Sequence, residues 1–198
     1  LNNIKLFPNF RKYYEPFLGG GSVLYVIDCE ESICGDICKP LIDLWMMIKE
    51  DPKKLVRFYT KDWDRLQKEG YLFYYEIRNR FNKNKNPEDL FFLSRTCVNG
   101  LIRFNKDGEF NNSFHHTRKG IEPQRVEKII FEWSKKIQNT IFLNQDYCDL
   151  VKSATSKDFV YLDPPYFNTK GRYFGKIDYL EFIKFQLANH IAYLIENE

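Results

Sequence analysis

Three short apolar segments of this chain are each followed by an aspartate, and stretches with helical spacing separate them. The three acids are Asp36, Asp146 and Asp163. Short segments rich in β-branched and aromatic residues predict strands, and strands that alternate with helices favour a twisted, largely parallel α/β sheet. We therefore expect each of these strands to end on its acid. Because ligands bind beyond the carboxyl ends of parallel strands, the aspartates predict one shared site.

A glycine-rich turn follows the first predicted strand. That strand covers residues 13–17, and Gly19–Gly21 come soon after it. Ser22 is expected to cap a helix over residues 22–27. Glycines in such a turn let a ligand approach the backbone closely, and an acid at the end of the next strand commonly accepts hydrogen bonds from ribose hydroxyls. These features predict a nucleoside-bearing cofactor, although the run fits neither a dinucleotide GxGxxG pattern nor a phosphate loop.

The middle of the chain is basic and mostly helical in pattern. Residues 51–140 contain 19 Lys and Arg against 12 Asp and Glu, whereas the whole chain has a net charge of only +3. Pro52 and Pro87 suit helix starts, and the alternating residues of 98–116 predict a β-hairpin around a Lys-Asp-Gly turn. The charge distribution indicates a face for a polyanion. A solvated helix surface is the alternative, which charge alone leaves open.

The remaining composition narrows the class of protein. A length of 198 residues suggests one domain or one domain with an insertion, and no apolar run is long enough for a membrane span. An odd number of cysteines, five, without a secretory signal favours reduced thiols and an intracellular location. No metal is expected, because the cluster of Cys29, Cys34 and Cys38 lacks a fourth zinc ligand at the usual spacing.

The segment Asp163–Pro164–Pro165–Tyr166 presents hydrogen-bond acceptors in a stiff loop. Each proline has a restricted φ and no N–H group, so its carbonyl and the Asp163 carboxylate can only accept. Two converging acceptors suit an exocyclic NH2 group, which carries two hydrogens. The Tyr166 ring offers a flat face on which a flipped-out base can stack. A proline-stiffened loop with an Asp turn is the alternative, and the upstream elements make it the weaker interpretation.

Taken together, these motifs resemble those of the Dam-type DNA adenine methyltransferases, which use S-adenosylmethionine. The segments that carry the resemblance are YEPFLGGGSV (14–23), GDI (35–37), QDY (145–147), DPPY (163–166), VNGLIRFN (98–105) and GEFN (108–111). They are similar, in that order, to the family's cofactor motif, its ribose-binding strand end, the acid that meets the cofactor adenine, the catalytic motif and the two parts of the DNA-contacting hairpin. The resemblance covers nearly the whole chain.

The resemblance implies a Rossmann-like methyltransferase sheet with a helical and β-hairpin target-recognition insertion. We expect residues 1–50 and 139–198 to form the two parts of the catalytic domain, and residues 51–138 to form the insertion. Placing the cofactor motif before the insertion and the Asp-Pro-Pro-Tyr motif after it is typical of one group of amino-methyltransferases. The family pattern extends beyond both ends of this chain, so the catalytic domain is expected to be truncated at each.

Three sets of site residues follow from the resemblance and from the hairpin. Cofactor contacts are expected from Glu15, Pro16, Phe17, Gly19, Gly21, Ser22, Asp36, Ile37, Asp146, Tyr147 and Asp163. The catalytic set is Asp163, Pro164, Pro165 and Tyr166. DNA contacts are expected from Asn99, Arg103, Asn105, Asn111, Asn112 and Arg118.

The expected function is methyl transfer from S-adenosylmethionine to the exocyclic 6-amino group of adenine in double-stranded DNA. We expect the protein in the cytoplasm or at the nucleoid, with a cognate restriction endonuclease as a candidate partner. Three alternatives stay open: methylation of the exocyclic amino group of cytosine, methylation of adenine in RNA, and a catalytically incomplete DNA-binding fragment. Aspartate rather than serine at position 163 favours adenine.

Overall fold

Parallel strands form one sheet in the order β3-β2-β1-β4. The structure is a computed structural model, and it describes residues 9–165, 178 and 181–184. The strands are β1 (Tyr13–Glu15), β2 (Ser32–Gly35), β3 (Thr140–Leu143) and β4 (Phe159–Val160). Since each described pair is parallel, all four strands end at one edge of the sheet. The α/β class and the parallel sheet predicted from the sequence are confirmed.

Helices fill the connections between the strands. Between residues 9 and 165 the α-helices are α1 (Ser22–Val26), α2 (Lys39–Glu50), α3 (Pro52–Glu69), α4 (Tyr71–Asn84), α5 (Pro87–Thr96), α6 (Pro123–Lys136) and α7 (Tyr147–Leu150), and residues 181–184 are helical as well. Helices α2 to α6 all lie in the single connection from β2 to β3, so the basic middle of the chain is one long crossover between neighbouring parallel strands. Within the described residues, every helix is too short or too polar to cross a membrane.

The strands are shorter than predicted, which places two of the three acids beyond them. Asp36 directly follows β2, whereas Asp146 and Asp163 come three residues after β3 and β4 respectively. Asp146 accepts a hydrogen bond from the Cys148 amide (3.0 Å) and caps α7, so the chain has already left the sheet at this acid. The prediction that these strands end on their acids is therefore right for β2 alone. The side chains of β4 are half-buried.

One hydrophobic core joins the crossover helices to the sheet. The Trp45 ring of α2 meets Trp133 of α6 edge to face, with ring centroids 4.8 Å apart, and stacks on Phe142 of β3 at 5.8 Å. Helix α2 also packs on α5, and α6 packs on α3. The insertion expected over residues 51–138 thus shares its core with the strands, and its boundaries stay a prediction.

The loop between α5 and α6, residues 97–122, contains the predicted hairpin in an irregular form. In the described chain, antiparallel pairing here consists of two isolated bridges, Cys97 with Phe114 and Phe104 with Phe110. All three phenylalanines are buried against Tyr74 or Phe81 of α4. The antiparallel direction was predicted correctly, but in the described residues the pairing stops at these two bridges and regular strands are not formed.

An ion cluster links α3, α4 and α5. Arg80 donates from Nε to Asp89 Oδ2 (2.9 Å) and from Nη2 to Asp62 Oδ2 (3.1 Å). The Asp89 side chain is only 1% exposed and that of Asp62 9%, whereas that of Arg80 is 37% exposed. Burial raises the pKa of Asp62 despite the opposing attraction of Arg80. The shared guanidinium therefore offsets the cost of burying two carboxylates between three helices.

We expect Asp89→Ala to lower the free energy of unfolding by about 2–4 kcal/mol, because it removes the buried partner of Arg80 and leaves a hole between the helices. Denaturant unfolding followed by circular dichroism measures the change. Asp64→Ala, at an exposed position of α3, is the matched control, and we expect a change below about 0.5 kcal/mol. Equal losses in both variants would show that the ion cluster contributes nothing specific.

Candidate active site

The glycine turn and the Asp163 segment leave the same edge of the sheet. Strand β1 pairs with β4 so that Tyr14 lies opposite Val160, and the Tyr161 amide donates to the Tyr14 carbonyl (2.8 Å). After Tyr161 the chain continues to Asp163, at the same edge of the sheet as the residues that connect β1 to the glycine turn. The charge of Asp163 is near enough to Glu15, the last residue of β1, to contribute to raising the pKa of that carboxyl. The register of two neighbouring strands thus brings both segments together.

The glycine turn is hydrogen-bonded to the end of β2. The Leu18 amide donates to the Gly35 carbonyl (2.9 Å), and Gly21 donates back to Leu18 (2.8 Å). Gly21 has φ of +69°, and a Cβ atom there would lie 2.9 Å from the Trp45 ring. Both the backbone angle and the ring therefore require glycine at this position. Gly21 also caps α1 and Ser22 is the first helical residue, so the prediction of a serine cap is wrong.

Trp45, a buried residue of α2, also holds the turn. Its Nε1 donates to the Gly19 carbonyl (3.1 Å), while the Gly19 amide donates to Asp36 Oδ2 (3.2 Å). Gly19 has φ of +47°. The turn is therefore fixed from both sides, by a tryptophan of the first crossover helix and by an aspartate at the end of β2. Helical periodicity alone carried no signal for the tryptophan's second contact.

Asp36 organises the loop that follows β2. Its Oδ1 accepts from the Cys38 amide (2.9 Å) and its Oδ2 from Gly19. The Asn144 side chain, which sequence reasoning missed, donates to the Asp36 carbonyl (2.9 Å). Burial raises the pKa of Asp36, and the two amide hydrogen bonds oppose that rise. Each carboxylate oxygen has two acceptor sites, so one amide bond per oxygen leaves room for a ligand hydroxyl.

Glu15 is a buried carboxyl at the same edge. It is 3% exposed, and the Tyr13 hydroxyl donates to its Oε2 (2.8 Å). Burial raises the pKa of Glu15 to about 7, and the nearby Asp163 charge adds to this, while hydrogen bonds from Tyr13 and the Leu24 main chain act in the opposite direction. Near neutral pH this group therefore exchanges a proton with small changes in its surroundings.

Aromatic rings complete this part of the site. Phe17 stacks on Tyr147 with centroids 5.4 Å apart, and Phe182 packs edge to face against both. Phe182 was not among the predicted site residues, because nothing in its local sequence relates it to Phe17. Among the other predicted cofactor contacts, Pro16 is buried, Ile37 is half-buried, and Ser22 and Asp146 are exposed.

The Asp-Pro-Pro-Tyr motif is described in part. Asp163 is exposed, whereas Pro164 and Pro165 are half-buried. Tyr166 lies outside the described residues. In the described part of the chain, no group of three His, Cys, Asp or Glu side chains is placed to hold a metal ion.

The predicted DNA contacts all lie in the 97–122 loop. Some of their side chains already make hydrogen bonds within the loop, and others are exposed to solvent. Arg103 Nε donates to Asn111 Oδ1 (2.9 Å). Asn105 Oδ1 accepts from the amides of Asp107 and Glu109, so this side chain shapes the turn. Asn99, with φ of +57°, and Arg118 are exposed.

Asn112 has a different environment from the other predicted DNA contacts. It is 7% exposed, and its Nδ2 donates to the carbonyls of Val98 (2.9 Å) and Leu101 (3.0 Å). Its Oδ1 accepts from the Ser113 amide (2.9 Å). With its donors and acceptor engaged inside the loop, Asn112 supports the loop instead of presenting a polar edge to a partner.

A cavity of about 490 Å³ lies between α4 and this loop, and two predicted DNA contacts, Asn105 and Asn111, line it. The other lining residues are Arg78, Asn79, Asn82, Lys83, Glu109 and Phe110. The α4 residues were not predicted as site residues, since a helix with mixed polar side chains carries no specific signal in sequence.

We expect the stability of the protein to fall as pH rises through 7, because of Glu15. The folded-state pKa of about 7 lies above the ordinary glutamate pKa of 4.5, so the folded protein keeps a proton that the unfolded chain releases. This stabilisation is complete below about pH 4.5 and lost through pH 7. Relative to Glu15→Gln, the wild type should lose roughly 3 kcal/mol of unfolding free energy between pH 4.5 and 8.

Denaturant unfolding of both proteins at each pH measures this difference. Glu132→Gln, the same change at an exposed position of α6, is the control and should follow the wild type at each pH. Parallel pH profiles for wild type and Glu15→Gln would contradict the burial of a protonated Glu15.

Comparison with known proteins agrees with this geometry. The family model described as D12 class N6 adenine-specific DNA methyltransferase matches residues 1–194. The Type II methyltransferase M.MjaIII of Methanocaldococcus jannaschii is 33% identical over 175 residues, covering 80% of this chain and 59% of that protein. The DNA adenine methylase of Escherichia coli is 33% identical over 163 residues, covering 77% of this chain and 55% of that protein.

The DNA adenine methylase of Vibrio cholerae is similar to the same degree, 33% over 166 residues, with 80% of this chain and 57% of that protein covered. The chain therefore spans less than two thirds of the length of these relatives. Because the family model nonetheless matches almost every residue, this chain belongs to the D12 class N6 adenine-specific DNA methyltransferases.

Proposed function

We propose that the protein transfers the methyl group of S-adenosylmethionine to the exocyclic 6-amino group of adenine in double-stranded DNA. The observation that carries this proposal is the meeting of two segments at one sheet edge, the turn at Gly19–Gly21 and the acceptor segment at Asp163–Pro165. One is suited to a nucleoside-bearing cofactor and the other to an NH2 group. Membership of the family and the names of the relatives support the same reaction.

The residues around the turn fit the cofactor. At Gly20 no heavy atom lies within 4 Å of the place a Cβ atom would take, so the backbone of the turn is open there, and Asp36 keeps acceptor sites for ribose hydroxyls. Phe17 and Tyr147 offer apolar ring surface near Asp146, as a purine would need. When bound, S-adenosylmethionine supplies a methyl group activated by its sulfonium charge. We propose that the predicted cofactor set holds it, with Glu15 as the buried acid of that set.

The acceptor segment would prepare the adenine amino group. Its nitrogen lone pair is delocalised into the ring, which makes the group a poor nucleophile. Hydrogen bonds from its two hydrogens to the Asp163 carboxylate and the Pro164 carbonyl would favour a more tetrahedral nitrogen with a localised lone pair. Positioning and electrostatics would supply most of the rate enhancement. We retain Tyr166 as the residue on which the flipped-out base would stack.

The DNA would lie against the basic crossover region. We propose contacts from Asn99, Arg103, Asn105, Asn111 and Arg118, with Asn112 as a support of the loop. Phosphate contacts supply affinity and base-edge contacts supply sequence choice. Residues 51–138 would act as the target-recognition insertion, between catalytic parts at 1–50 and 139–198.

The cellular setting is part of the same proposal. A DNA substrate implies a cytoplasmic or nucleoid-associated protein. One relative is named a Type II methyltransferase, and others are named DNA adenine methylases. We propose a cognate restriction endonuclease as a partner, and this proposal rests on the similarity to the Type II methyltransferase alone. Mapping the modified base in treated DNA and RNA separates adenine from cytosine and DNA from RNA, and cofactor binding separates an enzyme from a DNA-binding fragment.

We expect Asp163→Ala to abolish methyl transfer, because the amino group loses one of its two acceptors. DNA binding should stay within about tenfold, since phosphate contacts dominate affinity. Incorporation of tritiated methyl groups and fluorescence anisotropy with labelled duplex measure the two effects. Asp28→Ala, also at an exposed position, is the control and should keep full activity. Methyl transfer by Asp163→Ala near the wild-type rate would refute the proposed role of the segment.

We expect Asp36→Ala to weaken cofactor binding by at least about tenfold, because it removes a charged acceptor for the ribose and releases the Gly19 amide. Isothermal titration calorimetry with S-adenosylmethionine measures the affinity. Asp43→Ala, on the half-buried face of α2, is the control. Unchanged affinity in the Asp36 variant would count against its assignment to the ribose.

A further inference from the structure

The 97–122 loop cannot hold its shape by its own pairing. Its antiparallel pairing consists of the two isolated bridges and a few main-chain hydrogen bonds between them. The Asn111 amide donates to the Arg103 carbonyl (3.0 Å), and the Asn105 amide donates to the Glu109 carbonyl (2.8 Å). An isolated two-stranded ribbon is marginally stable in water. The positions of Arg103 and Asn111, two of the proposed DNA contacts, therefore depend on what supports the ribbon from outside.

Asn82 of α4 supplies a two-point support. Its Nδ2 donates to the Phe110 carbonyl (3.1 Å), and its Oδ1 accepts from the Phe110 amide (2.8 Å). A carboxamide bound to both main-chain groups of one residue acts as a neighbouring strand would, and it fixes both the position and the orientation of that peptide. Phe110 itself pairs with Phe104 and directly precedes Asn111.

Two more side chains of α4, and Lys85 directly after its end, support the loop on either side of Phe110. Lys85 Nζ donates to the Gly108 carbonyl (2.7 Å), while Tyr74 and Arg78 donate to the Asn112 carbonyl (3.0 and 3.3 Å). Tyr74, Arg78 and Asn82 are spaced four residues apart, which places them along one side of α4, and Lys85 directly follows the last residue of that helix. The three carbonyls belong to alternate residues, as on one edge of a strand. Asn82 is the central contact and binds both groups of its residue.

We propose that Asn82 is a positioning residue for target-sequence recognition. It acts through the Phe110 peptide, which sets where the Arg103 and Asn111 side chains lie, and its own two polar atoms are bound to the main chain. The proposal rests on the proposed function, since it concerns how a DNA methyltransferase would choose its sequence. A residue that positions base-contacting groups affects discrimination between sequences, whereas loss of a phosphate contact weakens binding to all sequences alike.

Asn82→Asp tests this with little change in volume. The carboxylate can still accept from the Phe110 amide, but it cannot donate to the Phe110 carbonyl and repels it. The full-length protein is incubated with tritiated S-adenosylmethionine and with a duplex library of randomised sequence, and methylated positions are mapped by sequencing. We expect the preference for the wild-type target over single-base variants to fall by about tenfold, with cofactor affinity unchanged within about twofold.

Two controls separate positioning from other effects. Asn84→Asp adds the same charge at an exposed position of the same helix, and its sequence preference should match the wild type. Hydrogen exchange over residues 104–112 should be at least about fivefold faster in Asn82→Asp alone. A relaxed preference without faster exchange would mean that Asn82 contacts DNA directly, which overturns the proposal, as does an unchanged preference.

If Asn82→Asp does not fold, Lys85→Met gives a second test, because it removes only the support at Gly108. We expect a smaller relaxation of preference, and a uniform loss of methylation across all sequences would overturn the proposal. Failure of this proposal can be distinguished from failure of the proposed function. If the proposed function is wrong, the wild-type protein will also leave the adenines of the library unmethylated.

Discussion

The parallel register of β1 with its two neighbours is the constraint on which the site depends. Its fully buried Tyr13 and Tyr14 fix the strand in the centre of the sheet. Pairing continues past the strand, since Leu18 still bonds the last residue of β2, Gly35. A Cβ atom on Gly35 would lie 2.7 Å from the Leu143 carbonyl of β3, so glycine at this position lets the ends of β2 and β3 approach this closely. The turn and the acceptor segment converge because β1 pairs in parallel with β4 on one side and with β2 on the other.

Three carboxyl groups at this edge have different environments, and their chemistry differs accordingly. Glu15 is buried beside a tyrosine hydroxyl and carries a pKa of about 7. Asp36 is held by two amides, and burial raises its pKa. Asp163 is exposed three residues after β4, an edge strand of the described sheet, where an incoming substrate can meet it. Chemically similar groups in one site can have different roles when their surroundings differ in this way.

The crossover region combines a rigid frame with an irregular loop. Arg80 joins three helices through two buried aspartates, and Trp45 connects this frame to the glycine turn. The loop is held on the frame by buried phenylalanine rings and by donors of α4. Side chains on a loop of this kind can vary while the frame keeps their positions, which is a common way to place binding residues on a stable scaffold.

The order and type of most elements could be predicted from the sequence, because helix periodicity, proline starts and strand composition act over a few residues. The glycine turn and the Asp-Pro-Pro-Tyr segment were recognised for the same reason. Strand ends were less accurate, since pairing with neighbours determines where a ladder stops. The hairpin was predicted with the right direction, but its packing on α4 through buried aromatic rings depends on contacts that are distant in sequence.

The sequence by itself determined the parallel α/β class, the glycine turn and the acceptor segment, as well as the family. Only the tertiary structure decided that Asn112 supports the loop, that Trp45 holds the turn and that Asn82 binds the Phe110 peptide. The last of these contacts joins residues 28 positions apart. Such contacts depend on how helices and strands pack across the chain, and local spacing contains no information about which distant carbonyl an amide will meet.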